Sequence, residues 1–379
     1  MNNGIFDQPQ GPPAIAKRIR YELGQGTGKV KRNAVVISTY DDSAYISNSY
    51  TGAIQGQDVT DLILQIPSNR SNNNISNVTA SGALMVQIPD GTARGGNARG
   101  ARAVDFQSSR NLSSQVASGT GSIVIGVNNT ASSNDSVAIG TNNTASGPSS
   151  VAIGATNIAS GTYSFAAGYS NTASAIYSFA AGYLNIINSA GQSSVAMGQS
   201  NTTNGFASVA LGNSCVADGG YSSALGLYAN TNGITSKFAY GSGFSLGKTQ
   251  LGILPLRWVT TDAVATVISS DGFAASVTNQ LTLVNANAIN FEILVTATVT
   301  GTSAVAFKCT GLIRRGATAA ATVLVGSTVT QLFADASLAP CVVALSANTT
   351  LGCLTVTVTG IAATSISWTA VVKSSEVIG

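Results

Sequence analysis

The stretch SVAIGTNNTASGPSSVAIGATNIASG, residues 136–161, contains nearly the same 14-residue unit twice. The run SVAIG at 136–140 returns at 150–154, and NTASG at 143–147 returns as NIASG at 157–161. Related units extend in both directions, and each ends its apolar run with a glycine. These glycines, spaced 14, 14, 14, 14, 16, 14 and 14 residues apart, are Gly126, Gly140, Gly154, Gly168, Gly182, Gly198, Gly212 and Gly226. A fixed, short period of this kind indicates a solenoid.

Fourteen residues can form two short strands and two tight turns, but they cannot hold a helix, a strand and their connections. Stacked units would pair their strands in parallel, about 4.8 Å apart, and so form a flattened β-roll. In SVAIG both faces of the strand are apolar, with Ala138 on one and Val137 and Ile139 on the other. A strand that is apolar on both faces is normally buried on both. We therefore expect alanines inside the roll and a bulkier outer face that identical chains cover in a closed oligomer.

The predicted interface consists of the larger side chains that recur on this outer face. These candidates are Ile125, Val137, Ile139, Val151, Ile153, Phe165, Phe179, Val195, Met197, Val209 and Leu211. The periodic aromatic residues leave two alternatives open. Phe165 and Phe179 favour a packing ladder, whereas Tyr163, Tyr169, Tyr177 and Tyr183 could pack in the same way or stack on sugars.

The motif SVAIGxxNxASG resembles the head repeat of YadA-type trimeric adhesins, over about residues 120–232. That resemblance implies a left-handed parallel β-roll assembled as a homotrimer. A related NSVAIG motif of those adhesins is linked to matrix binding. Here Asp135, Ser149 or Ser193 precedes the motif instead of asparagine, so that activity is not expected. From the residues given, we also expect no signal peptide, long heptad stalk or C-terminal membrane barrel.

The C-terminal third has the period-2 alternation of an antiparallel β-sandwich, for example in residues 289–299, 354–359 and 366–372. Three segments of this region, 236–262, 311–327 and 354–377, resemble segments of bacteriophage tail-fibre proteins. In the middle segment, Arg314 and Arg315 precede Gly316 at an expected strand end or hairpin, and they are weak candidates for receptor contact.

Charge divides the chain into three parts. Residues 1–110 have 11 basic and 8 acidic side chains, residues 111–236 have only two acidic ones, and residues 237–379 have 7 basic and 5 acidic ones. The N-terminal part is a candidate virion-attachment region. Its docking candidates are Lys17, Arg18, Arg20, Arg94, Arg99 and Arg102. Nucleic-acid binding is not expected, because the net charge of this part is only +3.

Several chemistries are disfavoured. The chain has no histidine, and its four cysteines show no CxxC spacing, so we expect no metal site, cofactor or His-dependent catalysis. The cysteines predict small buried residues or, as an alternative, one or two disulfides. Asp262, Asp271, Glu292 and Asp335 could supply a glycosidase pair but are typical of a plain surface. No run of 18 apolar residues predicts a membrane span.

These patterns predict an all-β protein that is not an enzyme, with a parallel β-roll followed by an antiparallel sandwich knob. The two resemblances imply that the roll is left-handed, that the assembly is a homotrimer and that the chain is a viral structural protein. The expected parts are a virion-attachment region (1–110), the roll (111–235), a neck (236–257) and the knob (258–379). The expected role is a fibre or spike subunit on the virion, most typical of a bacteriophage tail fibre, whose knob binds a host-surface glycan or protein. Two alternatives are a head fibre or capsid-decorating protein without a receptor role, and a capsule-degrading tail spike.

Overall fold

The computed structural model describes residues 84–85, 89–243 and 248–378, which all lie in one compact unit, residues 81–379. The described part is all-β apart from a single 3₁₀ turn, Ala319–Ala321. It consists of a parallel β-roll followed by an antiparallel sandwich, as the sequence predicts. The docking candidates Lys17, Arg18 and Arg20 lie outside the described residues.

The roll has one longer and one shorter strand in each coil. The longer strands form one continuous parallel sheet, which begins with the two-residue strand β1 (Leu84–Met85) paired to β2 (Val104–Ser109). These longer strands are β2, β3 (Ile123–Val127), β5 (Val137–Thr141), β7 (Val151–Ala155), β9 (Phe165–Tyr169), β11 (Phe179–Tyr183), β13 (Val195–Gln199), β15 (Val209–Asn213), β17 (Ser223–Leu227) and β18 (Phe238–Ser242). The shorter strands form a second parallel sheet, and they are β4 (Thr130–Ala131), β6 (Thr144–Ala145), β8 (Ile158–Ala159), β10 (Thr172–Ala173), β12 (Ile186–Ile187), β14 (Thr202–Thr203) and β16 (Val216–Ala217). Parallel pairing therefore extends beyond the expected roll, 111–235, on both sides.

Equivalent residues of successive coils stand in register, so that Ala138 pairs with Ala152 and Ile139 with Ile153. The second residue of each longer strand points inward and is fully buried, and the second residue of each shorter strand meets it from the other sheet. Alanine fills most of these inward positions because the two sheets lie close together. The expected alanine interior is confirmed.

The 16-residue spacing has a packing explanation at Ile187. This side chain takes an inward position that alanine takes in most other coils, and it is completely buried. The chain then makes an extra turn before β13, where Gly191 lies against the Ile187 side chain. The two additional residues of this coil thus lie in the turn beside the larger Ile187 side chain.

The repeated glycine is required by the close approach of neighbouring coils. Gly140 has φ +116°, and a β-carbon there would collide with the carbonyl oxygen of Gly154 in the next coil. The same relation links Gly154 to Gly168. Only glycine combines this backbone conformation with this spacing, which is why it is the most regular feature of the repeat.

The sandwich has two antiparallel sheets. One is formed by β19 (Lys248–Thr260), β27 (Ile366–Ile378), β22 (Asn287–Val299), β23 (Ser303–Arg315) and β24 (Thr322–Ala334), in that order. The other is formed by β20 (Ala265–Val267), β21 (Leu281–Thr282), β25 (Val342–Asn348) and β26 (Cys353–Thr359), with β26 paired to each of the other three.

The predicted alternation of β22 is confirmed, because Ile289, Phe291, Ile293, Val295 and Ala297 all enter the core shared by the two sheets. The inward residues of β26 and β27, among them Val356 and Trp368, meet them there.

The roll and the sandwich share a sheet. Strand β19 pairs antiparallel with β18, the last strand of the roll, and along its whole length with β27. The expected neck, 236–257, therefore consists largely of β18 and β19, and position 258 falls inside β19.

Candidate assembly interface

The eleven predicted interface residues all lie on the outward face of the longer strands, which we call the apolar face. Each is the first or third residue of its strand, and none is buried. Ile125 is 40% exposed and Met197 is 43% exposed. A single chain thus leaves this row of aliphatic and aromatic side chains uncovered along the roll.

From β3 to β15 the composition of the apolar face changes from coil to coil, but its bulk changes little. Beyond this range, β17 presents Ser223 and Leu225, and β18 presents Phe238 and Tyr240. Most coils pair two mid-sized side chains, such as Val137 and Ile139. The two aromatic coils instead combine Phe165 with Ala167 and Phe179 with Ala181. Exchanges that conserve volume are the kind that packed surfaces tolerate best, and a solvated surface has no need of them.

The opposite outer face, on the shorter strands, is different. Four of its seven outward residues are threonine: Thr130, Thr144, Thr172 and Thr202. Ile158 and Ile186 interrupt this row and are 43% and 40% exposed. The continuous apolar row therefore belongs to the longer strands alone.

The aromatic residues form in-register pairs on neighbouring coils. The rings of Phe165 and Phe179 lie parallel with centroids 4.9 Å apart, so the expected ladder is present. Tyr163 stacks on Tyr177 at 5.4 Å, and Tyr169 stacks on Tyr183 at 5.5 Å. The four tyrosines are about half exposed or more, so they remain accessible in a single chain.

A buried asparagine ladder, which sequence reasoning missed, runs through the roll. Its members are Asn129, Asn143, Asn157, Asn171, Asn185 and Asn201, and all are fully buried. In a typical rung, Asn157 Nδ2 donates to Asn143 Oδ1, to the Ile153 carbonyl and to the Gly168 carbonyl. Asn157 Oδ1 accepts from the backbone N–H and Nδ2 of Asn171. The ladder therefore ties each coil to both neighbours.

The signal for this ladder was in the sequence as an asparagine three positions after six of the eight repeat glycines, from Gly126 to Gly198. Because Asn is also common in tight turns, this spacing does not by itself distinguish a buried ladder from a row of turn residues. Other residues take over at the two ends: Gln107 Oε1 accepts from the Asn129 backbone N–H, and the Cys215 backbone N–H donates to Asn201 Oδ1.

The two ends of the roll contain buried ion pairs, although its interior has no charge between them. At the N-terminal end, Asp105 occupies an inward position of β2 and binds Arg99 at 2.6 Å and Arg110 at 2.8 Å. Burial lowers the pKa of Arg99, and the Asp105 carboxylate partly offsets this effect. At the other end, Lys237 takes the position that serine holds in earlier coils and binds Glu376 of β27 at 2.8 Å. Gln250 and Ser374 also donate to Glu376, which fixes the last coil to the sandwich.

The remaining docking candidates differ in how far their side chains are buried. Arg94 and Arg102 are exposed and stay candidates. Arg99 is only 6% exposed, and its Nη1 donates to the carbonyls of Gly95 and Asn97 in addition to the Asp105 pair. A docking role for Arg99 is therefore at odds with the structure, because its side chain closes the end of the roll.

The receptor candidates end strand β23, as expected. Arg314 is exposed, whereas Arg315 donates from Nη1 to the Leu283 carbonyl at 2.6 Å and lies against Gly352. Arg315 thus stabilises the loop around residue 283, and Arg314 is the one of the two that is free to meet a partner.

The four cysteines are free and buried, which matches the expectation of small buried residues and not that of disulfides. Burial raises the pKa of Cys309 and of Cys353 to about 11. These thiols face the sandwich core or its edge and are not placed for chemistry.

The acidic residues considered for catalysis have ordinary local roles. Glu292 pairs with Lys308 at 3.2 Å on the surface, and Asp335 accepts from the Ala304 backbone N–H. Asp262 accepts from the Val264 backbone N–H, and Asp271 accepts from Asn279. Within the described ranges, no group of three or more Cys, Asp or Glu side chains could hold a metal ion, and no helix is long and apolar enough to cross a membrane.

Comparison with known families assigns the roll. The YadA head domain repeat matches at residues 117–143, 131–157, 145–170, 159–185, 189–214 and 204–229. This part of the roll is therefore similar to YadA head repeats, which are typical of trimeric adhesins. No curated protein matches the chain.

Among solved structures, the crystal structure of the Acinetobacter phage vB_ApiP_P1 tailspike protein matches with 8% identity and a TM-score of 0.22. The match covers 74% of this chain and 57% of that chain. The chain thus spans little more than half the length of that protein, and a similarity this low carries no argument about activity.

Proposed function

We propose that the chain is the subunit of a homotrimeric viral fibre or spike, most consistent with a bacteriophage. In this proposal, region 1–110 attaches the subunit to the virion, the roll acts as a rigid spacer, and the sandwich meets the host surface. The observation that carries the proposal is the uncovered apolar face of the roll.

The apolar face supports an assembly because large exposed apolar surfaces on soluble proteins mark interaction sites. From β3 to β15 its rows are in register and nearly constant in bulk, so they suit a partner with the same repeat. A second and third copy of the chain supply such a partner most simply, through a closed symmetric arrangement. The number three rests on the YadA head repeats, which are typical of trimeric adhesins.

The viral assignment rests on the resemblance of segments 236–262, 311–327 and 354–377 to bacteriophage tail-fibre proteins. A low content of charge, 9%, and a shaft whose coil edges are covered by neighbouring coils suit a protein exposed to proteases. Exposed Arg94 and Arg102 lie before the first complete coil and are available for attachment. We propose no catalytic step. Each sandwich could bind the host surface weakly, because several linked copies in one fibre raise the overall affinity.

The assembly is tested by introducing a carboxylate on one outer face of the roll at a time. Ile153→Asp puts a carboxylate on the apolar face, and Ile158→Asp makes the same change on the threonine-rich face. The two isoleucines have similar exposure, 36% and 43%, so the folding cost in a single chain is matched. Sedimentation is expected to show a trimer for Ile158→Asp and dissociated chains for Ile153→Asp. A stable Ile153→Asp trimer would contradict the proposed interface.

The attachment role is tested with the purified, fluorescently labelled chain and a panel of bacterial strains. We expect the chain to bind the strains that the parent virus infects and to reduce adsorption of the virus to them. Antibodies should locate the protein on tail structures. Location on the capsid without any effect on adsorption would instead favour a decorating protein.

A further inference from the structure

A groove of about 440 Å³ lies where the last coils of the roll meet the sandwich. Tyr221 and Ser236 line it from the roll, Arg257 from β19, and Asp271 and Phe273 from the loop after β20. Its size lies within the range of small-molecule sites. We propose that this groove binds one hexose unit of a cell-surface polysaccharide, an inference that rests on the proposed host-binding function.

Two aromatic rings give the groove its apolar surfaces. Tyr221 is 64% exposed and Phe273 is 73% exposed, although neither belongs to a packed core. Phe206 meets the Tyr221 ring edge-on, with centroids 5.4 Å apart and an interplanar angle of 73°, and so supports one side of that ring. Flat apolar rings beside polar groups match a pyranose, whose ring carbons carry C–H bonds and whose rim carries hydroxyls.

Tyr221 occupies a coil position where the backbone is left-handed throughout the roll. Its φ is +56°, and nearly the same φ is found at Ser149, Ser193, Tyr163 and Tyr177. The repeat therefore sets this backbone conformation, which serine also adopts, and does not require an aromatic ring. Tyr221 differs from Tyr163 and Tyr177 in its place beside the sandwich, where it lines the groove together with Arg257 and Phe273.

The polar groups of the groove supply both donors and acceptors. Arg257 Nη2 donates to the Asp271 carbonyl at 3.0 Å, and Asp271 Oδ1 accepts from the Phe273 backbone N–H at 3.0 Å and from Asn279 Nδ2 at 2.9 Å. These bonds hold the loop in place before any ligand arrives. The Ser270 hydroxyl, which also lines the groove, has no hydrogen-bond partner in the part of the chain that the structure describes.

This donor and acceptor set favours a neutral polyol over an ion. A guanidinium and a carboxylate lie at the same groove, so their charges offset each other. Sugar hydroxyls donate and accept, and can use the remaining donors of Arg257 and the free lone pairs of Asp271 together. A phosphate or carboxylate ligand would instead meet the Asp271 carboxylate.

The test compares tyrosines at equivalent positions. Tyr221→Ser and Phe273→Ser remove the two rings, and serine already occupies the Tyr221 position in other coils. Tyr177→Ser is the matched control, because Tyr177 has the same coil position and φ +57° but lies three coils away, about 14 Å. The full-length chain and its variants are applied to an array of bacterial lipopolysaccharides, capsular polysaccharides and hexose oligosaccharides. Binding to the retained glycans is then measured by calorimetry.

We expect the unmodified chain to retain hexose-containing glycans, Tyr221→Ser and Phe273→Ser to weaken binding at least tenfold, and Tyr177→Ser to bind as the unmodified chain does. Equal binding by all four proteins would overturn the assignment of the groove. A chain that binds bacterial cells but no glycan would overturn the saccharide proposal and leave the proposed function standing. Failure to bind either cells or glycans would overturn both.

Discussion

Replacing Asn157 by alanine is expected to remove about 3–5 kcal/mol from the free energy of unfolding. The Asn157 side chain makes five hydrogen bonds: its Nδ2 donates to Asn143, Ile153 and Gly168, and its Oδ1 accepts twice from Asn171. A typical neutral hydrogen bond contributes about 1 kcal/mol, and a buried donor left unpaired costs about 1–3 kcal/mol. The Asn171 backbone N–H would become such a donor, because it loses the Asn157 Oδ1 acceptor in a fully buried position.

Asn213→Ala provides the matched control for this change. Asn213 makes only a 3.3 Å bond to Gln199 and a 2.8 Å bond from the neighbouring Ser214, and it lies on the outer surface. We expect this variant to lose less than about 1 kcal/mol. Guanidinium unfolding followed by circular dichroism, at one fixed protein concentration, measures both. Equal losses for Asn157→Ala and Asn213→Ala would refute the ladder as a source of stability.

Two further predictions concern buried groups. Lys237→Met leaves the Glu376 carboxylate buried without its cation, so this change should lower the free energy of unfolding by about 3–5 kcal/mol. The control Lys308→Met removes an exposed ion pair and should cost at most about 1 kcal/mol. Equal losses of stability in denaturant unfolding would contradict the role of Lys237 in joining the last coil to the sandwich. The pKa of Cys309 and of Cys353 is about 11 in the folded chain, above the ordinary 9.0, so unfolded thiols ionise first and stability should fall as the pH rises from 9 to 11. A double Cys→Ala variant should show a shallower fall over this range, and an unchanged slope would refute the assignment.

Local pattern was sufficient to predict the roll because its geometry repeats every coil. Gly140 and its equivalents are glycine because the next coil approaches too closely for a β-carbon. Val137, Ala138 and Ile139 alternate in size because Ala138 points into the roll and the other two point outward. The period-2 pattern of β22 predicted its buried side in the same way. Leu294 is the one large apolar residue on the outward face of this strand, and it is exposed.

The ends of the roll could not be predicted in this way, because their partners are distant in sequence. Lys237 and Glu376 are 139 residues apart and meet only after the sandwich has folded back on the last coil. Arg99 was mistaken for a docking residue because a Gly-rich basic strip is typical of an exposed segment, and its partner Asp105 occupies an inward position that no local rule assigns to an acid. The groove brings together residues 221, 257 and 273, so it also depends on the contact between the last coils of the roll and the sandwich.

These contacts also bear on how the knob should be studied. Strand β19 pairs with β18 of the roll, and Glu376 near the chain end closes the last coil. A deletion that starts at residue 258 would cut β19 and uncover Lys237, so it would damage the roll as well as remove the knob. Surface substitutions such as Arg314→Ala, which change no core contact, are better suited to locate the host-binding surface.

The mass of the full-length protein in solution tests the central claim most directly, since one roll leaves an apolar flank that needs other copies to cover it. Sedimentation equilibrium at micromolar concentration is predicted to give three times the 38.1 kDa chain mass. A single species of 38.1 kDa that stays soluble and folded, with Ile153 and Met197 accessible to water, would contradict it.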